Sequence, residues 1–71
     1  MIDQLRYDPF TDRYILNGDP LHAGDPLRVL IYDPGEDDFV WRETRIEMAS
    51  DQTWYLVGCP GIQPSGLWAQ R

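Results

Sequence analysis

Few side chains in this 71-residue chain could do chemistry, and their spacing limits what that chemistry would be. His22 is the only histidine, with Asp19 and Asp25 close to it in sequence. A general base needs a nucleophile or a carboxylate held against it, and no such motif accompanies His22. It reads as a residue that caps or packs the turn at Gly24. Cys59 is the only cysteine, so no intramolecular disulfide can form. It has no paired histidine, it adjoins Pro60 at the end of an apolar run, and it reads as a small buried apolar group. Asp33, Glu36, Asp37 and Asp38 raise the question of calcium. Their spacing lacks the alternate ligands, central glycine and distal glutamate of a calcium loop, and a solvated hairpin tip is the simpler reading. Carboxylate pairs for glycoside hydrolysis could be drawn at will from twelve acids, so they carry no signal. No glycine-rich phosphate loop is present. The expectation is a protein that is not an enzyme, with no catalytic, cofactor-binding or metal-ligating residue.

The aromatic residues are the better functional lead. Three Trp, four Tyr and two Phe are a large supply for this length. Tyr7, Tyr14, Tyr32, Trp41, Trp54, Tyr55 and Trp68 exceed what so small a core can hide. They are either platforms for a partner or paving for the ends of the fold with their polar tips in water. Acids form a second pattern. Glu43 and Glu47 flank Arg45 at i±2, so the three share a face of a regular strand. With Asp37 and Asp38 they could form an acidic stripe, interrupted by Arg42 and Arg45. The candidate partner-binding residues are therefore Tyr32, Asp37, Asp38, Trp41, Glu43, Glu47 and Tyr55.

These residues must be positioned by strands, because no window shows a helical period of useful length. Trp54-Tyr55-Leu56-Val57-Gly58, uncharged and apolar on both faces, reads as the central strand. Leu5–Tyr7 and Arg13–Leu16 read as a hairpin around Asp8-Pro9. Asn17-Gly18 breaks the chain, and Gly24 is expected to hold a positive φ. Leu27–Tyr32 is a strand rich in branched residues. Pro34-Gly35 suits the centre of a type II turn. Phe39–Met48 is the longest strand. Phe39 and Trp41 fall on one face and Ile46 and Met48 on the other, which predicts a bulge or bend between Arg42 and Arg45. Leu67–Gln70 closes the fold. There are no internal repeats. One all-β domain over 1–71 is expected, a small SH3-like barrel of five to six short antiparallel strands with no substantial helix.

Twelve acids face six arginines, with no lysine, for a net charge of −6. That balance argues against direct binding to nucleic acid or to an anionic membrane, both of which need a cationic footprint. No run is long enough to cross a membrane as a helix. Met1 to Phe10 carries Asp3, Arg6 and Asp8 with no apolar segment, so a cytoplasmic protein is expected.

The succession Leu21-His22-x-Gly24-Asp25, Leu27 to Ile31, Trp41, Thr44-Arg45-Ile46-Glu47, Trp54-Tyr55-Leu56-Val57-Gly58 and Gly66-Leu67 resembles a family of small bacterial proteins known only as a domain of unknown function. The resemblance spans almost the whole chain. It implies an SH3-like fold, an origin among phage or mobile-element genes, and no catalytic residues. The chain departs from the pattern in the acidic segment Asp33 to Asp38 and in its Trp68-Ala69-Gln70 ending.

Two functional readings follow. The first is a non-enzymatic protein-interaction module that binds through Trp41, Tyr32 and neighbouring acids. The alternative is an acidic nucleic-acid mimic that inhibits a host defence or nucleic-acid-handling complex, of the anti-restriction or anti-CRISPR type. Either implies a protein partner, expected to carry a basic surface. A homodimer is also plausible, because surplus aromatics and an edge strand invite self-pairing.

Overall fold

Short runs of branched and aromatic residues, each cut by Pro, Gly, Asn or Asp, fold here as strands and tight turns. The computed structural model describes residues 1–71. It contains β1 (Asp3–Gln4), β2 (Arg6–Asp8), β3 (Arg13–Leu16), β4 (Asp19–Pro20), β5 (Pro26–Asp33), β6 (Asp38–Met48), β7 (Trp54–Leu56) and β8 (Trp68–Gln70), and no helix. No helix is therefore long and apolar enough to cross a membrane.

The strands form two antiparallel sheets. One has the order β1-β8-β5-β6-β7 and the other the order β2-β3-β4. Leu5, Tyr14, Leu16 and Leu21 pack from the smaller sheet and its connections against Leu27, Val29, Ile46, Trp54, Leu56 and Ala69 of the larger. Cys59 completes this cluster, buried as the sequence suggests. The core is thin, since only twelve of 71 residues are buried.

The all-β class matches the sequence, but the arrangement differs from a five- or six-stranded barrel. There are eight strands, and no strand pairing joins the two sheets into a closed ladder. The additional elements are the two-residue strands β1 and β4, too short to show an alternating pattern. Trp54 to Gly58 is not the central strand. β7 ends at Leu56 and lies at a sheet edge, while β5 is flanked by β8 and β6. The chain turns at Gly58, which has φ of 76°, and the Cys59 N–H donates back to the Leu56 carbonyl at 3.2 Å. Apolarity on both faces therefore marked a short edge strand with an uncovered side.

Of the bulge or bend expected between Arg42 and Arg45 in β6, the bulge is absent. The register runs without a slip from Pro26↔Arg45 to Asp33↔Asp38. The conflict that predicted it disappears because the two apolar sets are not both buried: Ile46 faces the core, while Phe39 and Trp41 face outward. The turn at Pro34-Gly35 is also not type II. Gly35 lacks a positive φ, the Glu36 N–H donates to the Asp33 carbonyl at 3.1 Å, and the left-handed residue is Asp37, with φ of 53°.

Gly24 does adopt a left-handed conformation, with φ of 93°, and its N–H donates to the Ile46 carbonyl at 2.7 Å. Nothing lies near the position a Cβ would take, so the cost of a side chain there is conformational. Gly24→Ala is expected to lower stability by about 1–2 kcal/mol without changing the fold, measured by urea denaturation.

Candidate functional site

Residues opposite each other in an antiparallel pair point to the same side of the sheet. On the core side of the β5–β6 hairpin lie Leu27 and Val29, then Ile31 opposite Val40, then Asp33 opposite Asp38. On the outer side lie Arg28 opposite Glu43, Leu30 opposite Trp41, and Tyr32 opposite Phe39. The pairing Arg28↔Gln70 extends this side across β8, with Val29↔Ala69 on the core side, so that Trp68 falls beside Leu30. Trp68, Leu30 and Trp41 thus form a row across three strands, and Tyr32 and Phe39 form the next pair toward the hairpin tip. The side chains are open to solvent: Phe39 is 62% exposed, Tyr32 and Trp68 are each 48% exposed, and Trp41 is 38% exposed. No element of the chain covers them.

The hairpin tip is built by a device that occurs twice. Tyr7-Asp8-Pro9-Phe10-Thr11-Asp12-Arg13-Tyr14 and Tyr32-Asp33-Pro34-Gly35-Glu36-Asp37-Asp38-Phe39 share the pattern Tyr-Asp-Pro-x-x-Asp-x-aromatic. The expectation of no internal repeat is thereby corrected. In both, the first Asp accepts a backbone N–H two residues on, from Phe10 at 3.0 Å and from Gly35 at 2.8 Å. In both, the second Asp is left-handed and accepts the tyrosine hydroxyl, Tyr7 to Asp12 and Tyr32 to Asp37. The aromatic pairs are also alike. Tyr7 and Tyr14 meet edge-to-face with centroids 5.4 Å apart, and Tyr32 and Phe39 with centroids 5.7 Å apart.

The two tips differ in what covers them. The first is docked onto the body: Tyr14 is buried, and the Trp54 indole N–H donates to the Asp12 carbonyl at 3.0 Å. The second projects from the body. Phe39, the counterpart of Tyr14, is exposed, and no side chain reaches the carbonyl of Asp37.

The Tyr–Asp bonds shift the phenols. The hydrogen bond from Tyr32 to the Asp37 carboxylate, reinforced by partial desolvation, raises the Tyr32 pKa above the ordinary phenol value. The Asp12 bond does the same for Tyr7, and burial raises Tyr14. A phenol raised in the folded state favours folding below the unfolded-state pKa, and this contribution is lost as pH rises through the folded value. Stability is therefore expected to fall above about pH 10. Asp37→Asn keeps an acceptor and tolerates the left-handed backbone but removes the charge. The Tyr32 phenol is expected to return toward its ordinary pKa, read as an earlier rise in phenolate absorbance.

Comparison with known proteins supplies the next observation. The sequence profile of the DUF5348 family, described as a domain of unknown function, matches residues 3–70. The chain belongs to this family. No curated protein and no solved structure matches the chain.

Within this DUF5348 domain, five of the seven sequence-derived candidates share the outer side of the larger sheet. Tyr32, Trp41, Glu43 and Glu47 lie there on β5 and β6, and Tyr55 pairs with Glu47 on β7. Asp37 is at the tip, engaged by Tyr32. Asp38 points to the core side, opposite Asp33, and accepts the Phe39 N–H. Phe39, Leu30 and Trp68 belong to the same surface, although sequence reading did not select them as contact residues. Phe39 was legible from the repeat, once residues 32–39 are aligned with 7–14. Trp68 required the β5–β8 register.

The acids prove to be mostly structural. Asp8, Asp33 and Asp51 accept backbone N–H groups two residues on in their turns. The Thr53 hydrogen bonds hold the Asp51 carboxyl below its ordinary pKa. Asp25 accepts the His22 N–H at 2.9 Å and lies 3.4 Å from Arg71. His22 is itself exposed, in the turn next to Gly24.

Proposed function

We propose that this DUF5348 domain is a non-enzymatic protein-interaction module whose contact surface is the outer aromatic face of the β5–β6 hairpin. The observation that carries the reading is the pair of equivalent hairpin tips, one covered by Trp54 and the other bare. The first tip displays the complement that the second accepts: burial of the second aromatic, Tyr14, in the core, and an N–H donor for the carbonyl of the left-handed aspartate. A partner would present such a group, an indole above all, to Phe39 and Asp37, with its surroundings resting on Trp41, Leu30 and Trp68. Exposed aromatics of this density are typical of surfaces that become covered.

Several features support a non-enzymatic role. His22 sits in a solvent-exposed turn and Cys59 is a core residue. The bacterial or phage setting that the family resemblance implies suits a small domain that acts by occupying a surface.

A nucleic-acid mimic has less support. Asp38 is on the opposite side from Glu43 and Glu47, Arg45 stands between those two, and most other carboxylates are engaged within their own turns. The test compares two sets of substitutions. A protein module loses its partner on Trp41→Ser or Phe39→Ser and tolerates charge reversal of Asp38 and Glu47, which leaves the Tyr32–Asp37 bond of the tip intact. A mimic behaves in the opposite way, with steep salt dependence. A sedimentation measurement on the same proteins distinguishes a heterologous partner from a second copy of this chain.

A further inference from the structure

Cations are scarce in this protein, yet three of its six arginines line one concavity. Arg28, Arg45 and Arg71 surround an open cavity of about 580 Å³, together with Glu43, Leu27 and Val57. It lies at the end of the hairpin away from the aromatic tip. The strand register assembles it from distant parts of the chain. Arg45 pairs with Pro26, Arg28 pairs with Glu43, and Gln70, next to Arg71, pairs with Arg28 on the other side. The size is that of a small-molecule site.

The charges are incompletely compensated. Arg71 lies 3.4 Å from Asp25, and the Arg28 Nε is 3.9 Å from a Glu43 carboxylate that is itself largely exposed. Arg45 takes part in no ion pair. Three guanidiniums and one carboxylate thus line the cavity of a chain whose net charge is −6. Guanidinium groups offer donors in a planar fork that matches phosphate and carboxylate oxygens. Charges beyond the screening length, about 8 Å at physiological ionic strength, contribute little to a small ligand held at this spot. A long polyanion would run past the rim and meet the acids around it.

We propose that the cavity formed by Arg28, Arg45 and Arg71 binds a small molecule bearing an oxyanion, a phosphate ester or a polycarboxylate. Arg45 is the principal partner, and Val57 offers an apolar contact to the body of the ligand. The proposal is independent of the aromatic face, which Trp41→Ser alters without touching the cavity lining.

Pyrophosphate and citrate, titrated separately into the full chain at near-physiological ionic strength, provide the test by amide chemical shifts. Sodium chloride at matched ionic strength is the control. Saturable shifts are expected at residues 27–28, 43–45, 57 and 71. Arg45→Gln should weaken the response about tenfold, the loss expected for one charge-assisted contact. Glu43→Gln should strengthen it by removing the competing carboxylate. A tighter response to pyrophosphate assigns a phosphate ligand, and a tighter response to citrate assigns a carboxylate. The absence of saturation with either anion overturns the proposal. So does equal affinity in the wild type and Arg45→Gln, or an affinity in Glu43→Gln that does not rise.

Discussion

Ile46→Ala is expected to unfold the protein. Ile46 is fully buried and sits where β6 passes from its pairing with β5 to its pairing with β7, opposite Leu56. Its backbone is equally committed: its N–H donates to the Asp25 carbonyl at 3.1 Å and its carbonyl accepts from Gly24 at 2.7 Å. Truncating a buried isoleucine to alanine costs about 2–5 kcal/mol, part transfer free energy and part cavity. A single core in a chain of this size supplies roughly 3–5 kcal/mol in total. Nothing else staples the fold, since Cys59 is the one thiol and is unpaired. The loss is therefore comparable to the whole stability. Circular dichroism should show no cooperative urea transition for Ile46→Ala under conditions where the wild type gives one. A variant that unfolds at the wild-type midpoint would show that the core lies elsewhere.

The second large effect is expected in binding and not in folding. Phe39 is 62% exposed, so Phe39→Ser should cost less than about 1 kcal/mol of stability. Trp41 is more enclosed, between Leu30 and the neighbouring strands, and Trp41→Ser should cost about 1–2 kcal/mol and leave a folded majority. Truncating an aromatic anchor at the centre of an interface commonly costs 2 kcal/mol or more, about a thirtyfold loss of affinity. Each variant should therefore keep its strand signature and lose its partner. A lost partner together with a lost fold, in both variants, would mean that these aromatics are structural and that their exposure has no functional meaning.

The contrast between Ile46 and Phe39, both on β6, shows what the sequence made legible. Strand positions followed directly from branched and aromatic runs between turn residues, and the edges of β3, β5 and β6 lay within a residue of those expected. β1 and β4 were not legible, because two residues make no alternation and their pairing is set by distant partners. The even and odd positions of β6 were read correctly as two apolar faces. The assumption that both must be buried then produced a bulge that the register does not contain. Trp54 to Gly58 misled for the same reason, since an uncovered side looks in sequence like a second buried side. The capping roles of Asp8, Asp33 and Asp51 were not legible, because turn capping uses the same residue types as an acidic surface and only hydrogen bonding separates them. The arginine cavity was invisible, as Arg28, Arg45 and Arg71 meet only through the β5–β6 and β5–β8 registers.

The side-by-side similarity of the two hairpin tips has a wider consequence. It supplies an internal standard for what a Tyr-Asp-Pro-x-x-Asp tip looks like when satisfied. The tip with Tyr14 buried and the Asp12 carbonyl bonded to Trp54 is the satisfied case, and Phe39 in solvent is the open one. The open tip also lies at one end of a surface whose other end carries the arginine cavity.

The most direct test is quantitative capture from cell extract with the wild type, Phe39→Ser, Trp41→Ser and the Asp38/Glu47 charge reversal immobilised in parallel. Retained proteins are identified and quantified by mass spectrometry. The predicted result is a defined set held equally by the wild type and the charge-reversed protein and reduced at least about tenfold by each aromatic substitution. Equal retention by all four proteins, or loss confined to the charge reversal, would contradict the assignment of the outer aromatic face as the contact surface.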